Sequence, residues 1–334
     1  MASTIEPFSA IINPLPTQKL NIYAFGTGDN AELGLGPGVN AKAVLVLLPM
    51  PRNIVRVSIG TDHILGLTKE GDVYVWGNRQ QYQLRRLVSA RHRLTRLNPR
   101  QVSLPRRQVK YVATGSYHSF AITPDGTVWA WGLNQYGQCG IYTEEDSTVI
   151  PVPTVVRSLT GYIIVQISPG EHHSTALTES GELLVWGRLD SGQLGIDPAA
   201  LSVDDCVCNA RGNSRYLRTL HAVPGIRFST IGCGTDHNIA IWMDGQASSW
   251  GIKGCYQTGL GPDASDEIMT PTRIENTATR GVRMTFATAG GQFSILAGVP
   301  SEPSNCGYSG ADTHANDADT NGDEEAAEED EGGD

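Results

Sequence analysis

Histidine is the side chain whose type and placement here best suit it for chemistry. His63, His118, His173 and His237 each close a Gly-x-x-His tetrad, and a neutral imidazole can serve as general base or metal ligand. Three further constellations invite the same question: the pair His172-His173, the spacing Cys206-x-Cys208, and the turn Gly26-Thr27-Gly28-Asp29. None completes a reactive site. Neighbours on a strand point to opposite faces, so the two histidines cannot share one ion. One Cys-x-Cys without a second ligand pair is not zinc spacing, and the six cysteines read as single buried thiols in a reducing compartment. The glycine turn lacks the Lys-Ser/Thr and the following helix of a phosphate loop. No Ser-His-Asp or paired-carboxylate spacing is present either. The expectation is a protein without catalytic residues, metal or cofactor, one that acts by binding.

The histidines recur because the chain does. After each His a glycine follows by eight positions (Gly71, Gly126, Gly181, Gly245), and a Trp-Gly pair follows by five more (Trp76-Gly77, Trp131-Gly132, Trp186-Gly187, Trp250-Gly251). The steps from His to His are 55, 55 and 64 residues. Periods of this size mean a solenoid, a propeller or an array, not two ordinary domains. Within a repeat, His118-Ser119-Phe120-Ala121-Ile122, the turn Pro124-Asp125-Gly126 and Thr127-Val128-Trp129-Ala130-Trp131 read as a β-hairpin. No stretch sustains a helical period. The fold class is therefore all-β, a β-propeller with about four strands per blade.

Only the second half of a repeat opens the chain, at Tyr23-Ala24-Phe25-Gly26, and only a first half closes it, at Gly290 to Leu296. Two such halves can share one blade and so remove exposed sheet edges. The prediction is five blades: whole ones near 56–109, 110–160, 161–225 and 226–283, plus one split blade sealing the ring. The domains expected are an N-terminal tail (1–19), the propeller (20–299) and a disordered acidic tail (300–334).

Charge supports that division. The chain carries a net charge of −10, yet residues 301–334 hold 12 acids and no Lys or Arg. The remainder has 23 acids against 25 bases and is nearly neutral. The first 19 residues lack a charged, apolar leader, and no run approaches the roughly 20 apolar residues of a membrane span. A soluble monomer away from membranes is expected.

Residues that recur in every blade are read as structural, with the repeat histidines bonding backbone between blades and the tryptophans filling space there. Equivalent positions that differ are better candidates for function. The position before the repeat His reads Asp62, Tyr117, His172, Asp236 and Gln292, and should lie on one rim of the central channel. A second candidate is the acid-free stretch 73–124, where Arg85, Arg86, Arg91, Arg93, Arg96, Arg100, Arg106, Arg107 and Lys110 gather. That bias suits an anionic partner such as nucleic acid, an acidic protein or the chain's own tail, and Arg favours bidentate contacts.

Gly-Thr-Asp-His-Ile-Leu-Gly-Leu-Thr, Trp-Gly-Leu-Asn-Gln-Tyr-Gly-Gln-Cys-Gly and Gly-Glu-His-His-Ser resemble the regulator of chromosome condensation repeats over about residues 20–299. The block order is most similar to the fungal nuclear exchange factor for the small GTPase Ran. The resemblance implies a GTPase-binding face on one side and chromatin on the other. By motif position it carries GTPase-facing roles to Asp29, Asp62, Arg86 and His172, while a further histidine of the family is replaced by Phe293. Asp236 joins this set from its place on the rim. The segment containing Arg91, Arg93, Arg96 and Arg100 coincides with the loop that helps hold chromatin.

The family has seven blades, and about two repeats are missing between Leu33 and Gly60, including the wedge that pushes on the nucleotide site. The basic N-terminal tail expected for DNA contact is also missing. The expected function is nuclear guanine-nucleotide exchange for a Ran-type GTPase, with nucleosome or DNA as second partner and with exchange impaired. The alternative is a non-catalytic propeller scaffold that binds chromatin or an acidic protein through 85–110.

Overall fold

Alternating apolar residues punctuated by glycine turns fold into short antiparallel strands. A computed structural model describes residues 15–300 apart from 30, 37–38, 79–97, 105–107, 143–147, 209–210 and 213. An opening half-blade pairs β1 (Tyr23–Thr27) with β2 (Ala41–Leu47). The first full blade is β3 (Ile54–Ile59), β4 (His63–Thr68), β5 (Val73–Gly77) and β6 (Arg100–Gln101). The second comprises β7 (Tyr111–Thr114), β8 (His118–Ile122), β9 (Val128–Leu133) and β10 (Val149–Val155).

The third blade takes β11 (Ile164–Pro169), β12 (His173–Thr178) and β13 (Leu183–Gly187). The chain then makes a separate hairpin of β14 (Cys206–Cys208) and β15 (Ser214–Leu217) before β16 (His221–Ala222) completes that sheet. The 64-residue step is the sequence trace of this insertion. The fourth blade is β17 (Phe228–Cys233), β18 (His237–Trp242), β19 (Ala247–Ile252) and β20 (Glu267–Arg273). A closing half-blade pairs β21 (Val282–Ala289) with β22 (Ser294–Pro300).

The four whole blades stand as expected. The split fifth blade does not form: β1 bonds β2 and β22 bonds β21, in two different sheets. Phe25 is 63% exposed and Ile295 51%, whereas Trp76 and Leu65 at the equivalent places in the first blade are 3% and 0% exposed. The physical reason is that each half-blade is anchored on its whole neighbour. Leu20 N donates to Ile54 O (2.7 Å) and Trp76 Nε1 to Glu32 O (3.0 Å) at one end. At the other, Met284 N donates to Gly245 O (2.8 Å) and Thr235 N to Gly291 O (3.2 Å). With both ends fixed this way, the number of blades between them decides whether an arc closes.

The contacts between blades repeat. His63 Nε2 meets Ser119 Oγ at 2.8 Å, His118 Nε2 meets Ser174 Oγ at 2.7 Å, His173 Nε2 meets Asn238 Oδ1 at 2.9 Å, and His237 Nε2 meets Ser294 Oγ at 2.9 Å. These partners are side chains of the next blade, and His63 and His237 have backbone partners there as well, at Ser116 and Phe293. Ser174 and Ser294 donate onward to Gln138 O and Gln257 O, and Asn238 Nδ2 donates to Gln193 O. The acceptor ends therefore face the imidazoles of His118, His173 and His237, and the ring proton of these three sits on Nε2. Trp186 Nε1 donates to the same Gln138 O at 2.9 Å. The tetrad glycines are required by close approach, since a Cβ on Gly170 would collide with Gly234 O and with the His173 ring.

Burial holds these imidazoles neutral. It lowers the pKa of His63, His173 and His237 to about 4 and pushes His118 well below its ordinary 6.5. The unfolded chain binds protons from pH 6.5 downward while the folded chain does not, so this stability is complete above 6.5 and drains away toward pH 4. Thermal unfolding should show a flat midpoint above neutrality and a steady fall from pH 6.5 to 4. His118→Gln should flatten that fall, and an equal slope in the variant contradicts the assignment.

Candidate functional site

The five inner strands β3, β7, β11, β17 and β21 line a central cavity of about 810 Å³. Gly60-Thr61, Gly115-Ser116, Gly170, Gly234-Thr235 and Gly290-Gly291 line it too, each next to a position preceding a repeat His. Asp62, Tyr117, His172 and Asp236 are half-buried and Gln292 is exposed, each within two residues of a cavity-lining glycine or threonine.

His172 sits at the centre of the densest polar cluster. Its Nε2 lies 3.2 Å from Gln135 Nε2, its Nδ1 3.8 Å from Glu171 Oε1, and its ring meets the Tyr136 ring edge-on at 4.9 Å. An amide N can only donate, so Nε2 accepts and the proton of His172 is on Nδ1. Arg188 joins this group to the next blade. Its Nε binds Asp190 Oδ1 at 2.5 Å, its Nη1 lies 3.9 Å from Asp236 Oδ1, and its guanidinium stands 5.6 Å from the Tyr136 ring centre.

Burial first, then the Arg188 charge, lowers the His172 pKa to about 4, so the imidazole faces solvent neutral. Burial, then Asp236, raises the Glu171 carboxyl, while Arg188 opposes. Tyr117 is raised by burial and by Asp62 and Glu171, whose charges bracket it. Asp62 accepts from Asn78 Nδ2 at 3.1 Å and is held on the first blade. The rim therefore presents carboxylates, a neutral imidazole and a phenol on rigid strand ends. That set can recognise a polar protein surface; it contains no nucleophile paired with a base.

Of the residues singled out in the sequence, the structure brings His172 and Asp236 together through Arg188, and places Asp62 along the same rim. Asp29 is exposed in the turn of the opening half-blade, and among the described residues no hydrogen bond or ion pair joins it to the cluster. Arg86, Arg91, Arg93 and Arg96 lie outside the described residues. Arg100 is exposed on the outer strand β6, opposite Val75. Phe293 takes the place of a repeat His against Gly290 and is 59% exposed, with no following blade packed on it. Cys206 is buried and Cys208 exposed on β14, so they do not converge, and no metal-binding group of His, Cys, Asp or Glu occurs among the described residues.

Sequence reasoning missed Arg188, Tyr136 and Arg215. Arg188 follows directly on Trp186-Gly187, where the other blades carry Asn78, Leu133 and Ile252. That departure from the repeat was the available signal.

A stack of four-stranded blades with a polar rim beside an axial cavity defines a tandem-repeat protein of the propeller type. The model of the RCC1-like domain family matches residues 7–296, and the chain belongs to that family. Protein pim1 of Schizosaccharomyces pombe is 45% identical over 250 residues, covering 74% of this chain and 46% of its own length. The guanine nucleotide exchange factor SRM1 of Saccharomyces cerevisiae is 41% identical, covering 74% and 51%. The crystal structure of Prp20p from Saccharomyces cerevisiae, studied with its binding to Gsp1p and histones, superimposes with a TM-score of 0.77 at 36% identity. It covers 85% of this chain and 65% of that one. The chain spans about half the length of the curated relatives it matches.

Proposed function

We propose that the protein is a guanine-nucleotide exchange factor for a Ran-type small GTPase, acting by binding and not by bond chemistry. The single observation behind this is the set Asp62, His172 and Asp236, next to the glycine turns that line the axial cavity, in a chain 41% identical to a named exchange factor. A factor that binds the nucleotide-free GTPase tightly weakens nucleotide affinity by the same ratio, through linkage alone. Asp62, Asp236 and His172 serve as the docking face, with Asp29 and Arg86 as outer contacts.

Exchange is impaired relative to a seven-blade factor, because the two terminal half-blades stand unpaired and the wedge repeats are missing. Release of a fluorescent guanine nucleotide from the GTPase tests this. Binding with slow release supports the proposal, full-speed release removes the impairment, and no binding removes the function.

The Arg-rich segment serves a second partner, the nucleosome, and the site of action is nuclear chromatin. Prp20p, studied with histones, supports that reading. Nucleosome affinity should fall steeply with salt. Replacing Arg91, Arg93, Arg96 and Arg100 by Ala should lower the slope of log K against log salt by about 3 to 4. An unchanged slope assigns nucleosome contact elsewhere.

A further inference from the structure

Among the described residues the hairpin β14–β15 has no counterpart in the other repeats; it forms its own sheet and is joined to the rim at Arg188-Leu189, where Leu189 N donates to Arg215 O at 3.0 Å. It leans on the preceding blade through two arginines. Arg215 Nη2 donates to the Tyr136 hydroxyl at 3.1 Å, with its guanidinium 5.1 Å from that ring centre. Arg218 Nη1 donates to the Tyr142 hydroxyl at 2.9 Å, with its guanidinium 5.6 Å from that ring. Both arginines are exposed, and among the described residues neither has a carboxylate partner. In this they differ from Arg188, which is shared between Asp190 and Asp236.

Contact with tyrosine restricts the rotamer freedom that normally makes a surface arginine a weak anchor; Arg218 also donates its Nε to Cys206 O at 3.1 Å, which leaves Nη donors on both residues for a partner. Tyr136 also touches the His172 ring, so the Arg215–Tyr136 pair is continuous with the docking rim.

From this geometry we infer that Arg215 and Arg218 form a pre-organised lip that grips a carboxylate-bearing segment of the docked protein partner. The inference rests on the rim being the GTPase face. A protein partner fits better than a nucleic acid. The same cluster carries Glu171, Asp190 and Asp236, which would repel a continuous phosphate backbone but suit a surface of mixed sign. Each guanidinium keeps further Nη N–H groups, held in a fixed plane, that a carboxylate can accept and that lysine cannot reproduce.

The test is titration of nucleotide-free Ran-type GTPase into the full chain, and of a duplex DNA as second probe. Compared with the unaltered chain, the Arg215→Lys/Arg218→Lys pair should weaken GTPase binding about 10-fold and the Arg215→Glu/Arg218→Glu pair about 100-fold. Circular dichroism and thermal unfolding should stay unchanged. The lysine pair keeps the charge and the strand, so it decides the matter should the glutamate pair misfold. Binding of the GTPase equal in all three proteins overturns the lip and leaves the rim reading standing. A loss confined to DNA overturns the choice of a protein partner. Failure of the unaltered chain to bind the GTPase overturns the rim reading itself, and the lip with it.

Discussion

Trp186→Ala should lower the unfolding free energy by about 4 kcal/mol, the range seen when a buried aromatic is truncated to alanine. Trp186 is 2% exposed, packs edge-on against Phe120 with centroids 5.9 Å apart, and donates its indole N–H to Gln138 O. The substitution leaves a cavity between the second and third blades and strips one donor from a carbonyl that Ser174 also uses. Both effects act on one interface of a stack in which each blade leans on the next, so the loss is transmitted to its neighbours.

The matched control is Phe25→Ala. Phe25 occupies the same repeat position in the opening half-blade, yet is 63% exposed, and its truncation should change stability by no more than about 0.5 kcal/mol. Denaturant unfolding of both variants checks the pair. Equal costs would mean that Phe25 is buried in solution and that the terminal half-blades have met after all.

The second large effect is expected at the rim. His172→Ala should reduce the nucleotide release that this chain stimulates from the GTPase about 100-fold, as truncation of a central, well-packed interface residue does. His172 is locked by Gln135, Tyr136 and Glu171, so its loss removes a fixed ring from the rim and takes away a neighbour of Arg188. Because burial and Arg188 hold its pKa near 4, the imidazole stays neutral through the physiological range. The release rate should therefore be flat from pH 6 to 8 in the unaltered chain. A rate that follows a titration near pH 6.5 would show a protonated imidazole at work. A His172→Ala protein as fast as its parent would place the docking face elsewhere.

Much of the architecture was legible because a repeat states the same structural demand several times. Four copies of Gly-x-x-His and of Trp-Gly could be read as packing residues before any contact was seen. The histidine hydrogen bonds and the buried tryptophans confirm that role, the histidines bonding side chains of the next blade and, at His63 and His237, its backbone as well. The rim positions drew notice for the complementary reason: the residue before the repeat His varies, as Asp62, Tyr117, His172, Asp236 and Gln292, where the repeat does not require agreement. Arg188, Tyr136 and Arg215 escaped notice because their meaning is relational. Nothing about Tyr136 alone indicates that Arg188 from the next blade and Arg215 from an inserted hairpin will converge on its ring.

Strand order, blade boundaries and the identity of the interblade residues follow from the sequence, since period-2 patterning, glycine turns and repeat spacing are local or nearly local properties. The fate of the two ends does not. Edge complementarity between Phe25 and Ile295 made a sealed fifth blade reasonable on paper. Whether two edges meet depends on the angle summed over every blade between them, and only packing in three dimensions supplies that sum. The tertiary structure leaves those edges in separate sheets, and it alone assembles the rim cluster from residues of three successive blades.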